Sequence, residues 1–405
     1  KFESGLRYSD SFLNYDEVKI GRTDLNNSTD DAELSYNLRL IHENGKFKNS
    51  LVYNKTDIER LTNTYQNNSK NYFGERDAIY LLGEYNFNFD TKVVYGADHE
   101  IDYSNYKDDW SGLYENHSEF INSQYFDFQF RPKEKLYSTI GFRRDDHSIA
   151  GGHTTGRVTI AYKLNNLSKI RTSYGTGIRY PALYDYYYGT VLTNKEDLKP
   201  EKSKSFDIGY DTTFEKINTN FNISAFKITY DDALEGWKSN TSSQENGSGW
   251  VIDNTSGKIK SKGIELSALW KPDTNFNVGL NYNYNDTYDG ADCDNPDATC
   301  IDSAMARVPK HEITSAVNYK INKKLSNKFL VKYKGETRDY GNTNNGFIDV
   351  ILDDYVTFNY SARYRLYDIY DLFFNADNIF DQNYEEAYQY STMGKTFNFG
   401  IRRVY

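Results

Sequence analysis

Apolar and polar residues alternate with a period of two along almost the whole chain. In residues 276–284, aromatic and aliphatic residues occupy the even positions, whereas Asn and Gly occupy the odd positions. Residues 356–366 repeat this pattern, and residues 79–89 follow it. Because successive side chains of a strand point to opposite faces, each segment has one apolar and one polar face. A helical spacing is not sustained over any long segment, so the chain is predicted to be all-β.

The connections between these segments alternate in length. About eighteen segments are separated in turn by short turns and by longer polar stretches, which is typical of an antiparallel up-and-down transmembrane β-barrel. A soluble β-sandwich has no reason to alternate its loop lengths. Short turns are predicted near residues 44–45, 90–91, 132–133, 165–166, 215–216, 272–273, 323–324 and 368–369. Longer connections are predicted near 17–29, 58–74, 103–116, 181–198, 231–249, 287–308 and 336–352, with shorter ones near 145–152 and 391–394.

Hydropathy and aromatic content favour a membrane barrel over a helical membrane protein. Mean hydropathy is −0.80, and the sequence has no apolar stretch of about 18 residues, the shortest that suggests a spanning helix. The polar face is rich in Asn, Ser, Thr, Arg and Asp, which predicts a hydrated or plugged interior. Aromatic residues near strand ends predict girdles at both membrane interfaces, with ordinary strand propensity as the alternative. Examples are Tyr162, Tyr210, Tyr230, Tyr333 and Phe374, together with the final strand that contains Phe397, Phe399 and Ile401.

The net charge and the cysteines limit which partners and which cellular compartment the sequence favours. The net charge of −10 and the isoelectric point near 5.3 argue against nucleic acid as a partner. Cys293 and Cys300 lie close together in an acidic stretch, which suggests a local loop disulfide in an oxidising compartment. Two free thiols are the alternative. The acidic run at 286–302 is predicted to be a solvated loop, with divalent cations bridging lipopolysaccharide as the alternative.

Catalytic patterns find little support in the sequence. The six histidines are scattered and lack the spacing of metal ligands. No G-x-S-x-G, H-E-x-x-H or G-x-x-x-x-G-K run occurs. The chain is therefore not predicted to be an enzyme.

Three motifs resemble the TonB-dependent receptor family. Each motif is weak by itself, but their order and spacing agree with the strand map, and together they identify the chain as a member of the family. In the third motif Lys395 stands where Arg is usual. The motifs are Ser173–Pro181 followed by Leu198–Ser203; Lys258–Gly263 with Glu265; and Asn375–Asp381 followed by Tyr384-Glu385 and Met393–Phe399.

The resemblance implies a monomer in the outer membrane of a Gram-negative bacterium, surrounded by membrane lipid and lipopolysaccharide. Family members have a barrel of about 22 strands with a plugged lumen. They import a small-molecule nutrient chelate with energy from the TonB-ExbB-ExbD complex. The sequence shows neither a plug nor a TonB box, so residues 1–405 are predicted to be a partial barrel without the plug domain and the first strands. A complete, passive 18-stranded porin is the alternative.

Within the family, the chain most resembles the cobalamin receptors. The resemblance rests on Leu198–Ser203 and on the short final outer loop, Tyr388–Gly394. It implies a scarce nutrient, a corrinoid first, with a ferric siderophore or haem as the alternative, and no required cofactor. Residues 14–16 resemble part of a calcium-binding outer loop, which would make Asp16 and Asp24 calcium ligands. Solvated loop acids are the alternative.

Aromatic residues in the long connections are candidates for ligand contact. Flat, amphipathic rings give a large contact area at low entropic cost to a rigid macrocycle or chelate. Loop packing or anchoring at the membrane interface is the alternative. The candidates are Tyr184, Tyr186, Tyr187 and Tyr188 in one connection and Trp110 and Trp237 in two others.

Overall fold

Long strands make up most of the chain. The structure is a computed structural model, and it describes residues 1–15, 27–63, 69–108, 113–188, 198–239, 250–254, 257–290, 304–343 and 346–403. Within these residues, no helix is long and apolar enough to cross a membrane. The strands are β1 (Phe2–Tyr15), β2 (Asn27–Asn44), β3 (Phe47–Asn63), β4 (Ser69–Asn88), β5 (Thr91–Asp108), β6 (Leu113–Lys133), β7 (Leu136–His147), β8 (Gly151–Lys163), β9 (Ser168–Arg179), β10 (Glu201–Phe214), β11 (Thr219–Asp231), β12 (Leu234–Ser239), β13 (Trp250–Asn254), β14 (Ile259–Trp270), β15 (Phe276–Asp289), β16 (His311–Lys320), β17 (Leu325–Lys334), β18 (Thr337–Thr343), β19 (Gly346–Leu352), β20 (Tyr355–Leu366), β21 (Tyr370–Asp377), β22 (Glu385–Ala387), β23 (Tyr390–Ser391) and β24 (Thr396–Arg403). The described part of the chain also contains a π-helical turn at Tyr184–Tyr188 and a 3₁₀ turn at Glu215–Ile217.

Eighteen of these strands form one antiparallel sheet, which confirms the predicted fold class and strand number. The other six form three separate hairpins, β12–β13, β18–β19 and β22–β23. All three hairpins lie within connections between strands of the large sheet. The eight predicted short turns each fall within or beside an observed turn. These short turns lie at one end of the strands, which we call the short-turn end. The other end of the strands is the long-connection end.

Several connections are shorter than predicted. Residues 58–74 and 103–116 are mostly strand, because β3, β4, β5 and β6 continue further than the apolar pattern does. Cross-strand ion pairs stabilise these polar extensions. Arg60 donates to Asp31 at 2.6 Å, and Arg76 donates to Asp102 through both Nε and Nη2. Residues 337–343 and 346–352 form the two strands of the β18–β19 hairpin, in which Thr337 pairs with Leu352.

The chain divides into two compact units, and in each the large sheet is apolar on its exposed face. Unit 1 contains residues 1–160, 174–204 and 230–256, and unit 2 contains 161–173, 205–229 and 257–405. In unit 1, Phe126 and Phe142 are nearly half exposed, whereas Ser123 and Asp145 on the other face are buried. In unit 2, Phe329 is half exposed and the polar Thr357 is buried. A soluble protein would bury the rings, so the apolar face is the lipid-facing one.

An aromatic row lines the short-turn end of unit 1. The ring centroids of Phe47 and Tyr85 are 4.5 Å apart, and those of Tyr85 and Phe87 are 4.8 Å apart. The ring centroids of Phe87 in β4 and Phe128 in β6 are 6.3 Å apart. This row occupies the position expected for an interfacial girdle.

Candidate ligand-binding site

The first residues of the connection after β9, 180–188, form a short, tightly packed turn in unit 1. Leu183 is 7% exposed and Tyr186 is 2% exposed, so the segment is anchored by apolar burial. The carboxylate of Asp185 accepts a hydrogen bond from the backbone N–H of Ala182 at 2.8 Å, which fixes the start of the π-helical turn at Tyr184–Tyr188. The predicted aromatic cluster is therefore an ordered element that follows the long-connection end of β9.

A buried histidine lies beside this turn. His147 Nδ1 accepts hydrogen bonds from the backbone N–H groups of Ile149 and Ala150, both at 3.1 Å. The ring proton must then sit on Nε2, which lies 3.3 Å from the carboxylate of Glu119. The ring stacks on Tyr180 with 4.4 Å between centroids. The tight turn between β7 and β8 thus fixes both the orientation and the tautomer of His147.

A second histidine stacks on the tyrosine turn. The rings of His117 and Tyr187 are 3.5 Å apart and nearly parallel, and His117 Nε2 lies 2.7 Å from the carboxylate of Glu115. Glu115, His117 and Glu119 occupy alternate positions of β6, so they share its polar face. Tyr187 is therefore held as a flat platform by an imidazole that is itself oriented by a carboxylate.

Among the described residues, several buried polar atoms in this cluster lack a hydrogen-bond partner. They are the hydroxyls of Tyr180 and Tyr186, His153 Nδ1, and the facing pair His147 Nε2 and Glu119 Oε2, which lie 3.3 Å apart. The His153 ring lies 5.8 Å from that of Tyr180. Burial raises the pKa of Tyr180 to about 12 and also raises the pKa of Tyr186. Both phenols therefore stay protonated at neutral pH. A polar ligand group that bonded to these atoms would remove a desolvation penalty of about 1–3 kcal/mol per group.

The Leu198–Ser203 motif anchors the return of this connection. Leu198 and Pro200 are buried, and Glu201 begins β10. The Glu201 carboxylate accepts a hydrogen bond from Arg179 at 2.8 Å and another from the backbone N–H of Leu234 at 2.7 Å. Glu201 therefore joins the end of β9 to the start of the β12 hairpin.

The arginines on the polar face of unit 1 are paired with carboxylates. Among the residues that the structure describes between β2 and β9 in this unit, each polar-face arginine has an acidic partner. Arg143 is the most elaborate case, since it bonds to Asp98, Ser123 and Asp145 at once. The other pairs are Arg39–Glu3, Arg60–Asp31, Arg76–Asp102, Arg157–Asp127 and Arg179–Glu201. From β2 to β9 this wall therefore has little uncompensated arginine charge, whereas Arg7 on the same face of β1 has no ion pair among the described residues.

In unit 2, a buried aspartate joins three of the long connections. Asp339 in β18 has no exposed side-chain surface and accepts from Arg307 Nε at 2.9 Å. It also accepts from the backbone N–H groups of Tyr340 at 2.9 Å and Tyr388 at 2.7 Å. Burial alone would raise the Asp339 pKa, but these three donors outweigh it and lower the pKa. We call Asp339 with its three donors the aspartate clasp.

Backbone geometry in unit 2 also explains the third motif, which begins at Asn375–Asp381 and ends at Met393–Phe399. Asn378 and Asp381 both have positive φ, at 49° and 57°. Asn378 bonds to the backbone of Gln382 through both side-chain atoms, and Asp381 accepts from the N–H of Lys395 at 2.7 Å. Asn and Asp tolerate this conformation better than most residues.

The structure brings some of the predicted site residues together and leaves others outside its reach. Tyr186 and Tyr187 lie in one cluster, and Tyr184 begins the same turn and is 44% exposed. Tyr186 is too buried to be a first contact for a ligand. Tyr188 and Trp237 lie in described elements, but their side chains are outside the described part, and so are the residues Trp110, Asp16, Asp24, Cys293 and Cys300.

Sequence reasoning missed the two stacked histidines, His117 and His147. The alternation of Glu115, His117 and Glu119 on one strand was the available signal. Among the described residues, no group of three or more potential ligands is arranged to hold a metal ion.

Comparison with known proteins agrees with the sheet and the motifs. The model of the TonB dependent receptor-like β-barrel family matches residues 2–379. The vitamin B12 transporter BtuB of Vibrio vulnificus is 24% identical over 266 residues, which cover 65% of this chain and 38% of that protein. The pyoverdine receptor FpvA of Pseudomonas aeruginosa superimposes with a TM-score of 0.75 at 14% identity, covering 94% of this chain and 62% of that one. The siderophore receptor PirA of Acinetobacter baumannii gives 0.71 at 16% identity, with coverage of 93% and 62%.

The chain thus spans less than two thirds of the length of each of these relatives. At these identities the structural likeness shows the fold alone. The family match covers nearly the whole chain and fits a sheet whose apolar face is exposed. The chain belongs to the TonB-dependent receptor β-barrel family, whose members are receptors of the Gram-negative outer membrane and not enzymes.

Proposed function

We propose that this chain is the barrel of a TonB-dependent importer whose nutrient is a corrinoid. Family membership supports energised uptake, with the TonB-ExbB-ExbD complex acting on parts of the protein that precede these residues in related receptors. The similarity to a vitamin B12 transporter supports the corrinoid. The resemblance of Leu198–Ser203 to the cobalamin receptors points the same way.

The pairing of the arginines on the polar wall from β2 to β9 in unit 1 is the observation that carries the choice of ligand. A ferric tris-catecholate is a trianion, and tight binding would need arginines that are free to pair with it. The described polar-face arginines from β2 to β9 in this unit already have carboxylate partners. A corrinoid instead offers a broad ring with amide side chains, which suits stacked aromatic rings. Tyr187, stacked on His117, provides such a ring.

A ferric siderophore is the second candidate. It is supported by the solved siderophore receptors that share the fold. Direct binding separates the two, with the full-length receptor in outer-membrane vesicles titrated with cyanocobalamin and with a ferric tris-catecholate. The proposal expects saturable binding of cyanocobalamin and little binding of the catecholate. The reverse order would contradict it.

Replacing Tyr187 with Ala should weaken cyanocobalamin binding about tenfold, because the stacked platform on His117 is lost. Tyr114→Ala is the matched control. Tyr114 lies near the long-connection end of β6 but on the opposite face, where it is 62% exposed. Its loss should leave the affinity unchanged. Equal affinities for the wild type and Tyr187→Ala would show that the tyrosine cluster is not part of the binding site.

A further inference from the structure

The apolar face of β14–β16 in unit 2 ends abruptly in cations. Along β14 the apolar column ends at Ile264 and is followed on the same face by Lys262 and Lys260. Along β16 it ends at Ile313 and is followed by His311 and then by Lys310 in the adjoining connection. The columns end at one level, because Tyr284 of β15 pairs with both Ile264 and His311.

A further lysine of β11 belongs to the same face. Ser224 donates to Glu265, and the ring of Phe226 lies against Gly263, so both side chains are on the polar face. By alternation, Lys227 lies on the apolar face. We call Lys227, Lys260, Lys262 and Lys310 the lysine band.

Among the described residues, the acidic groups close to the lysine band do not balance its positive charge. Lys262 Nζ lies 3.2 Å from the carboxylate of Asp286, and Lys310 Nζ lies 3.8 Å from the same group. The Lys260 ammonium lies 5.1 Å from the ring centroid of Tyr288, and that of Lys310 lies 6.0 Å from the ring of Tyr284. Two ammonium groups thus share one carboxylate, and their side chains remain 65% and 59% exposed.

The position of the band matches the headgroup region of the outer leaflet. The short turn 271–275 marks the periplasmic end of β14, and Trp270 stands beside it. From Trp270 to Lys262 the strand rises by roughly 20 Å along the membrane normal, given about 3.3 Å per residue and the usual barrel tilt. This is close to the apolar height of about 25 Å in outer-membrane barrels. Lysine side chains also reach upward from such positions.

The apolar face of unit 1 shows a contrasting arrangement. There Lys55 follows the apolar column of β3, but three carboxylates surround it. Its Nζ lies 2.6 Å from Glu75, 3.5 Å from Asp77 and 3.9 Å from Asp57. Lys55 is therefore compensated by acidic groups, unlike the lysine band. In a protein of net charge −10, the band is a local reversal of sign.

We propose that the lysine band binds the phosphate groups of lipopolysaccharide, with Tyr284 and Tyr288 lying against its sugars. The ligand must be anionic, because the band is cationic, and it must be a lipid, because the band continues the lipid-facing surface. Exposed ammonium groups beside aromatic rings suit a phosphorylated sugar headgroup. The proposal is independent of the imported nutrient.

The test uses the triple variant Lys260→Gln/Lys262→Gln/Lys310→Gln, which we call the band variant. Its control is Lys271→Gln/Lys323→Gln/Lys324→Gln, which removes the same number of positive charges. The control lysines lie in short turns at the periplasmic end. Each full-length protein is placed in phosphatidylcholine vesicles that contain bis-phosphorylated lipid A. Lipid A bound per protein is measured by native mass spectrometry and by displacement of a fluorescent lipid A. The band variant should bind lipid A about tenfold or more weakly, and the control should match the wild type.

Two further probes distinguish the source of the phosphate. Dephosphorylated lipid A should bind the wild type as weakly as lipid A binds the band variant, and phosphatidylglycerol should not displace lipid A. Cyanocobalamin affinity, measured on the same samples, should not change in the band variant, so failure here is separable from failure of the proposed function. Equal lipid A binding by the band variant and the control would overturn the proposal. Equal displacement by phosphatidylglycerol would also overturn it, since any anionic lipid would then suffice.

Discussion

Replacing Tyr186 with Ala is expected to release the Tyr184–Tyr188 turn at a cost of about 3–5 kcal/mol, the range for truncating a large buried aromatic residue. The Tyr186 side chain is 2% exposed and lies between His147 and Tyr187, so its removal leaves a cavity at the centre of the cluster. Hydrogen exchange should show loss of protection in residues 180–188. Protection in β6 and β7 should persist, because their ladder hydrogen bonds do not involve this turn.

Two matched variants identify the source of the effect. Tyr186→Phe keeps the ring and removes a hydroxyl that has no hydrogen-bond partner among the described residues, so it should be neutral or slightly stabilising. Tyr184→Ala changes a tyrosine of the same turn that is 44% exposed, and should cost less than about 1 kcal/mol. Undiminished protection in Tyr186→Ala would mean that the turn is not held by this burial.

Replacing Asp339 with Asn should loosen three outer connections together, at a cost of about 2–3 kcal/mol. The amide is nearly isosteric, but its NH₂ group would face one of the N–H donors that the carboxylate now accepts. Proteolysis should accelerate in β18 and in the segment around Tyr388. Asp349→Asn is the control, because Asp349 is 59% exposed and its partner Arg338 keeps a hydrogen bond to the Ala304 carbonyl and a contact with the Tyr340 ring. Such pairs contribute at most about 1 kcal/mol. Equal proteolysis rates in the two variants would contradict the clasp.

The aspartate clasp also predicts a dependence on pH. The folded-state pKa of Asp339 is lowered, because its backbone and arginine donors outweigh the opposing effect of burial. Its contribution to stability is therefore complete above the unfolded pKa and is lost as the pH falls through the folded value. Opening should begin below the ordinary value of 3.8 and should not occur between pH 5 and pH 8. Hydrogen exchange of residues 337–343, corrected for intrinsic rates, measures it, and Asp339→Asn should abolish this step.

The strand map was predictable because each strand carries its own alternation. Residues 276–284 pair with their neighbours in a continuous register, as the pattern requires. The polar extensions of β3 and β4 were not predicted, because they depend on partners from other strands. Arg60 and Asp31, for example, are far apart in sequence, and only the register of β2 and β3 brings them together.

The candidate site was predictable only in part. The tyrosine cluster is visible as a run in the sequence, but its burial is not, because it depends on how the chain returns after β9. The tautomer of His147 is set by two backbone N–H groups in a tight turn, and no residue pattern encodes that. The role of Glu201 likewise requires Leu234, which lies in another connection. Motif resemblance identified these positions as significant without indicating their contacts.

Single cysteines along β15 test the central claim most directly, namely that the apolar face of this sheet contacts lipid and the polar face contacts water. In a Cys293→Ser/Cys300→Ser background, a fluorophore is attached in turn to Val278→Cys, Leu280→Cys, Asn281→Cys and Asn283→Cys, in full-length receptor in lipid vesicles. Spin-labelled lipid should quench the fluorophore at 278 and 280, and aqueous iodide should quench it at 281 and 283. Quenching by lipid at the odd positions, or equal quenching at all four, would contradict the assignment of a membrane barrel wall.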